Sequence, residues 1–239
     1  MRPPVERPSP SFDRRPTGAA GAAGAAGAGG GAAVDMVVFH YTGMEDAEST
    51  LTRLCDPAAK VSAHYVIDED GTVFALVDEG CRAWHAGAAW WRGNSDVNGR
   101  SLGIELVNPG HEFGYRPFAD AQMAALQDLA RDILARHPIP PRNVVGHSDV
   151  APRRKRDPGE LFDWARLAAA GIGLWPGASE PREAEGAEVA SLLADFGYET
   201  DDMDAALGAF QRHFRQVRVD GVADAETVGL LDAVLRLIP

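Results

Sequence analysis

Several things are scarce in this chain of 239 residues, and each scarcity removes a class of function. Long apolar runs are missing. Outside one alanine and glycine stretch, nothing approaches the ~20 residues needed to cross a bilayer, so no membrane span is expected. That stretch, GAAGAAGAAGAGGGAA, has side chains too small to bury useful area and reads as a flexible linker. Cysteine is nearly absent: Cys55 and Cys81 form no CxxC pair, which excludes a Cys-rich zinc site. A disulfide between them, or two small buried apolar side chains, are the remaining readings. Positive charge is short, with 23 Lys and Arg against 35 Asp and Glu and a net charge of −12. No global basic field exists to attract phosphates, so no nucleic acid is expected as a partner. The N-terminus, MRPPVERPSPSFDRRP, lacks the apolar h-region of a secretory signal, so the cytoplasm is the favoured compartment and the periplasm the alternative.

What remains is ample for a core, since hydrophobic residues make up 45% of the chain. The pattern implies four regions: a flexible segment over 1–33, an α/β domain over 34–175, a linker over 176–186 and a small three-helix domain over 187–239. Met36–Tyr41 and Ser101–Val107 are apolar runs typical of strands buried on both faces. His64–Asp68 and Thr72–Val77 flank Glu69-Asp70-Gly71, a hairpin signal. Ala119–Arg136 places Met123, Leu126, Leu129 and Ile133 on one helical side. Leu161–Ala170 is helical and stops at Gly171. After the Gly- and Pro-containing linker come helical patterns at Ala187–Phe196, Met203–Phe214 and Ala225–Leu237. Phe210, Phe214 and Leu207 share one face there, as core residues of the small domain.

The densest chemistry lies in GHSDVAPRRKRDPGELFDW, Gly146 to Trp164. His147 stands ten positions before Asp157, and Lys155 two before it. Histidine and aspartate are ordinary zinc ligands, and an adjacent cation suits an oxyanion. His40 ends the first apolar run, which suggests a two-His, one-carboxylate site with a position open for water. Glu105 sits inside SLGIELVN, where a charge is costly without a role or a partner. Each has an ordinary alternative: a satisfied core histidine, half of a salt bridge, a solvated basic loop over Arg153–Arg156. Asp149 competes for the metal and is read instead as a supporting carboxylate.

In this order and spacing, FHYTGM, HYVIDEDGTVFALV, WHAG, SLGIELVNPG and GHSDVAPRRKRDPGELFDW resemble the zinc-dependent N-acetylmuramoyl-L-alanine amidases of the type 2 family, in the branch of AmiD and AmpD type. The C-terminal helices resemble a peptidoglycan-binding module, through Phe210-Gln211 and Asp220-Gly221. The resemblance implies an α/β fold with a central mixed β-sheet flanked by helices. It implies zinc on His40, His147 and Asp157, with a zinc-bound water as nucleophile. Glu105 would be general base and acid, and Lys155 the oxyanion stabiliser. The implied substrate is a muropeptide or peptidoglycan, cut between (anhydro-)N-acetylmuramic acid and L-alanine during cell-wall recycling or turnover.

Around this site, His64, Trp84, His85 and Arg154 are candidate substrate contacts, Arg154 toward a substrate carboxylate. Trp90-Trp91-Arg92 reads either as core or as a sugar-contacting wall. His111, His137 and His213 are read as non-catalytic, and the protein as a monomer. A peptidoglycan-recognition protein of the same fold without activity is the competing reading, disfavoured by the full set of five residues. A zinc peptidase of the HExxH type is removed by the absence of that motif.

Overall fold

The computed structural model describes residues 3–16 and 34–238, so the Ala/Gly stretch expected to be flexible falls outside the described residues. A six-stranded sheet runs β1-β5-β4-β7-β3-β8. Its strands are β1 (Val5–Glu6), β3 (Met36–Tyr41), β4 (Tyr65–Ile67), β5 (Val73–Ala75), β7 (Ser101–Leu106) and β8 (Val144–Gly146). A two-stranded ribbon pairs β2 (Phe12–Arg14) with β6 (Cys81–Ala83). The sheet is mixed: β3 is parallel to β7 and β8, β4 is parallel to β7, and β4 and β5 form the antiparallel hairpin expected from Asp70-Gly71.

The helices are α1 (Ala47–Leu54), α2 (Val97–Arg100), α3 (Gly110–Phe113), α4 (Asp120–Arg136), α5 (His147–Val150), α6 (Trp164–Ala169), α7 (Gly186–Phe196), α8 (Met203–Phe214) and α9 (Ala225–Leu235). Local chemistry sets their bounds. Asp46, Asp163, Asp202 and Asp224 cap α1, α6, α8 and α9 through side-chain oxygens. The Asp163 cap explains why α6 starts at Trp164, later than the apolar pattern suggested. Among the described residues, no helix is long and apolar enough to cross a membrane.

Alternation along β3 builds two cores. Val37 and Phe39 face α4 and pack with Leu102, Ile104, Met123, Leu126 and Ile133. Met36 and Val38 face the other way and pack with Val145, Trp91 and the C-terminal helices, through Val189, Phe196, Phe210 and Phe214. By the same period of two, His40 lies on the Met36 and Val38 face, opposite Glu105 in the β3–β7 register. Trp91 belongs to this core and is fully buried, which decides between its two readings. Leu207 is likewise buried in it. Cys55 and Cys81 are free thiols, partly buried.

One regional expectation is corrected. Residues 3–16 are not a flexible tail but part of the fold. β1 adds to the sheet edge parallel to β5, and Arg7 and Ser9 continue the pairing through N–H bonds of 2.9 Å to Ala75 and Leu76. Arg15 is buried and donates to the carbonyls of Glu79, Gly99 and Ser101 at 3.0–3.1 Å. Proline suits an edge strand, so the proline content that suggested disorder marks an edge instead. The linker over 176–186 is also docked. Arg182 pairs with Glu188 and Asp232, and a Cβ on Gly229 of α9 would come within 2.2 Å of the Glu180 carbonyl.

Glu79, between β5 and β6, gathers distant parts of the fold. It accepts from Tyr65 at 2.8 Å, from Arg136 at 2.7 Å and from His137 at 2.7 Å. Burial alone would raise its pKa, but these donors outweigh burial and hold it at about 2. The folded state therefore favours the anion. The stabilisation is present above the unfolded carboxyl pKa of ~4.3 and is lost as pH falls toward 2. Allowing for solvent screening, it is on the order of 1–2 kcal/mol. Thermal melts from pH 6 to pH 2.5 are expected to show Glu79→Gln less stable than wild type at pH 6, with the gap closing toward the acid end.

Candidate metal centre and active site

Three donors converge at the strand ends. His40 Nδ1 and His147 Nδ1 lie 2.9 Å apart, and Asp157 Oδ2 is 3.1 Å and 3.0 Å from them. All three residues are buried, and they are the one such group of potential metal ligands among the described residues. His40 comes from the end of β3, His147 from the first residue of α5 after β8, and Asp157 from the following loop. The Ser148 N–H bond of 2.8 Å to the Asp157 carbonyl closes that loop onto α5.

The hydrogen bonds fix which nitrogens carry protons. His147 Nε2 faces the Ala86 carbonyl at 3.0 Å, and a carbonyl only accepts, so Nε2 carries a proton and Nδ1 is the atom turned to the centre. The second chain starts at Ser101, whose hydroxyl donates to the Val97 carbonyl at 2.6 Å. Ser101 Oγ therefore accepts from His85 Nε2 at 3.1 Å, which leaves His85 Nδ1 bare. His85 Nδ1 then accepts from His40 Nε2 at 3.0 Å, leaving His40 Nδ1 bare as well. Burial, followed by neighbouring His147, lowers the His40 pKa to about 4, and burial with His40 lowers that of His85 well below its usual value. Both rings are thus neutral near pH 7. Two ring nitrogens and a carboxylate oxygen face one another at 2.9–3.1 Å, an arrangement suited to a cation. A triangle with sides near 3 Å accommodates an ion roughly 2 Å from each corner. The residues fit a zinc ion.

Asp157 stays ionised: burial would raise its pKa, but His147 and His40 hold it far below the carboxylate range. Glu105 behaves oppositely. Burial first, then the nearby Asp157 charge, pushes its pKa well above the usual value, with Lys155 opposing. Its Oε2 is buried and has no hydrogen-bond partner among the described residues. Lys155 has no ion pair or side-chain hydrogen bond among them either. Glu105 and Lys155 line one cleft of about 460 Å³ together with His147, Asp157, Trp84 and Arg154.

Two predicted contacts change meaning. His64 is completely buried and is not on the cleft wall. Its Nδ1 accepts from the Gly103 N–H at 3.0 Å, so its proton is on Nε2, facing the Cys81 carbonyl at 3.2 Å. Burial, then Arg15, lowers its pKa to about 3. It joins β4 to β7 from behind the cleft wall. His85 touches the cleft, but both ring nitrogens are committed behind His40, so it is a positioning residue. Gly103 makes room for it: a Cβ there would lie 2.4 Å from the His85 ring. Arg154 remains on the cleft but spends Nε and Nη2 on the carbonyls of Ala86 and Ala88, at 2.6–3.1 Å.

Asp149 is a support, as its neighbours require. It accepts from Gly146 N–H at 2.7 Å, from the Tyr198 hydroxyl at 2.6 Å and from His213 Nδ1 at 2.8 Å. Tyr198 follows α7 and His213 lies on α8, so the C-terminal helices hold the turn that carries His147. Sequence reasoning missed this role for Tyr198 and His213, because the pairing spans 49 and 64 residues and has no local signal.

Two histidines at strand ends and a loop carboxylate, beside a carboxyl group and a lysine that are unpaired among the described residues, define the class: a metal-assisted hydrolase on an α/β scaffold. The particular family follows from comparison. Residues 30–160 match the N-acetylmuramoyl-L-alanine amidase family, and the chain belongs to it. The N-acetylmuramoyl-L-alanine amidase AmiD of Escherichia coli K12 is 39% identical over 230 residues, covering 84% of this chain and 82% of that protein. The 1,6-anhydro-N-acetylmuramyl-L-alanine amidase AmpD of Haemophilus influenzae is 41% identical over 45% of this chain and 56% of its own length. Among solved structures, the E. coli AmiD complex with anhydro-N-acetylmuramic acid-L-Ala-D-γ-Glu-L-Lys superposes with a TM-score of 0.80 at 38% identity, over 91% of this chain and 92% of that one. AmpDh3 of Pseudomonas aeruginosa with an anhydromuramic pentapeptide gives 0.79 at 33% identity, over 85% and 92%.

The proton assignment makes a specific demand on the supporting residues. His85→Phe keeps an aromatic ring but removes the acceptor for His40. It is expected to weaken zinc binding to the metal-stripped protein by about ten- to a hundredfold in calorimetric titration. Tyr198→Phe removes one bond to Asp149 and is expected to weaken zinc binding to a smaller degree. Wild-type affinity in both variants would show that the supporting bonds do not govern the centre.

Proposed function

We propose that the chain is a zinc-dependent N-acetylmuramoyl-L-alanine amidase that cuts muropeptides between (anhydro-)N-acetylmuramic acid and L-alanine. The observation that carries this reading is one centre where a two-histidine, one-carboxylate triangle adjoins a carboxyl oxygen that is buried without a partner and a lysine without an ion pair, among the described residues. The relatives in complex with anhydromuramyl peptides support the substrate class.

His40, His147 and Asp157 would hold a zinc ion, which would supply Lewis acidity toward water and the scissile carbonyl. Glu105 does the proton work. It takes a proton from the attacking water as the new C–O bond forms, and gives it to the alanine nitrogen as the C–N bond breaks. The products are a lactyl carboxylate and a free amine. A raised pKa suits this shuttle, because a strongly acidic carboxyl would hold the proton too weakly to pass it on. Lys155 faces the same cleft with all its donors uncommitted, and stabilises the oxyanion of the tetrahedral intermediate. Arg154 holds the 86–88 loop, whose Ala86 carbonyl also orients His147. Trp84 offers an aromatic face to the sugar. The helical region over 187–239 is a peptidoglycan-binding-like domain in this reading. Gln211 in it is structural, since its side chain holds the 220–222 turn by four bonds of 2.8–3.1 Å.

Product analysis by mass spectrometry on a defined anhydromuramyl tripeptide tests the assignment. Glu105→Ala is expected to lower kcat by about 10²–10⁴, and Lys155→Ala by about 10²–10³. Chelation should abolish release of the peptide, and added zinc should restore it. Full turnover after complete zinc removal would overturn the metal mechanism, and full activity in either variant would remove that residue from it.

A further inference from the structure

A second cavity, of about 360 Å³, adjoins the cleft and shares His111 and Arg156 with it. Two distant parts of the chain build it. Arg156 and Glu160 come from the loop around Asp157, while Arg212 lies on α8 and Gln216 just beyond it. Its walls carry two guanidinium groups against one carboxylate. Arg156 is exposed and has no ion pair or hydrogen bond among the described residues. Arg212 is mostly buried, and its Nε has no hydrogen-bond partner among the described residues. The nearest carboxylate oxygen, Glu160 Oε2, is 3.7 Å from that Nε and already meets His111 Nε2 at 3.1 Å. A buried guanidinium with an open donor is costly unless an acceptor reaches it.

The chemistry of the substrate indicates which acceptor this is. In a muropeptide the lactyl carboxyl is consumed by the scissile amide, so the sugar half carries no carboxylate. Free carboxylates lie only on the peptide, at the γ-linked glutamate and at the C-terminus. A stem of three residues extends roughly 10 Å at ~3.5 Å per residue, on the scale of two adjoining cavities of this size. A cationic pocket beside the cleft therefore selects the peptide half and is indifferent to the glycan.

We propose that Arg212 and Arg156 form a carboxylate subsite for the stem peptide, so that the C-terminal helices supply part of the substrate site itself. This rests on the amidase reading above. Arginine pairs well with a carboxylate through its planar fork of donors, and charge-assisted bonds of this kind are strong.

The test crosses two proteins with two substrates. Wild type and Arg212→Gln are assayed on an anhydromuramyl tripeptide with free carboxylates and on the same compound with its carboxylates amidated. For wild type, amidation should raise KM about tenfold, with kcat nearly constant. For Arg212→Gln, KM for the free acid should already be raised by about that factor, and amidation should add less than twofold. Arg212→Met, which keeps the apolar stem of the side chain, should behave like Arg212→Gln and guards against a folding defect. Equal amidation effects in wild type and both variants, or no effect in any, would overturn the subsite while leaving the amidase assignment intact. Failure of wild type to cleave either compound would overturn the amidase reading, and the subsite with it.

Discussion

Two backbone carbonyls, Ala86 and Val97, govern the chemistry of the whole centre. Each can only accept a hydrogen bond, and from that single restriction the protons of four side chains follow. Ala86 fixes His147 directly. Val97 fixes Ser101, then His85, then His40, over a chain of three bonds. The two ring nitrogens that face Asp157 are thus turned to the centre by protein geometry alone. The two carboxyl groups nearby are driven apart by the same surroundings: Asp157 stays ionised among its histidine neighbours, while Glu105 is pushed toward its neutral form. Divergent proton affinities are what divide ligand from proton shuttle.

The C-terminal helices belong to this arrangement rather than trailing from it. Their apolar faces share a core with Met36, Val38 and Val145 of the sheet. Through Tyr198 and His213 they hold Asp149, two residues from a metal ligand. His213 is itself clamped between rings, with centroids 3.6 Å from Trp164 and 3.9 Å from Phe214. The C-terminal helices and the metal-site geometry are thus mechanically joined. An insertion that loosened the helices would be felt at His147.

Much of this was legible in the sequence because the informative signals are local or periodic. The apolar runs located β3 and β7, with His40 ending the first and Glu105 inside the second. His147, Lys155 and Asp157 stood out together because they are close in the chain. The illegible parts depend on contacts between distant residues. His64 and His85 look alike in sequence, each a histidine beside aromatics, yet one joins two strands and the other orients a ligand. Only the position of Gly103 separates them, its N–H bonding one ring and its missing Cβ admitting the other. The N-terminal segment misled for a different reason: an edge strand needs no apolar face, so proline and charge concealed one.

That edge strand bears on the molecule's behaviour in a crowded solution. β1 covers the outer side of β5, and the following residues extend the cover along Ala75 and Leu76. Without residues 3–16, β5 would offer a row of unpaired N–H and C=O groups to any other strand. Arg15 would also leave the carbonyls of Gly99 and Ser101, next to the serine that sets the proton chain. One short segment thus serves as a seal against self-association and as a brace behind the histidines. A shortened chain would lose solubility and metal-site order together.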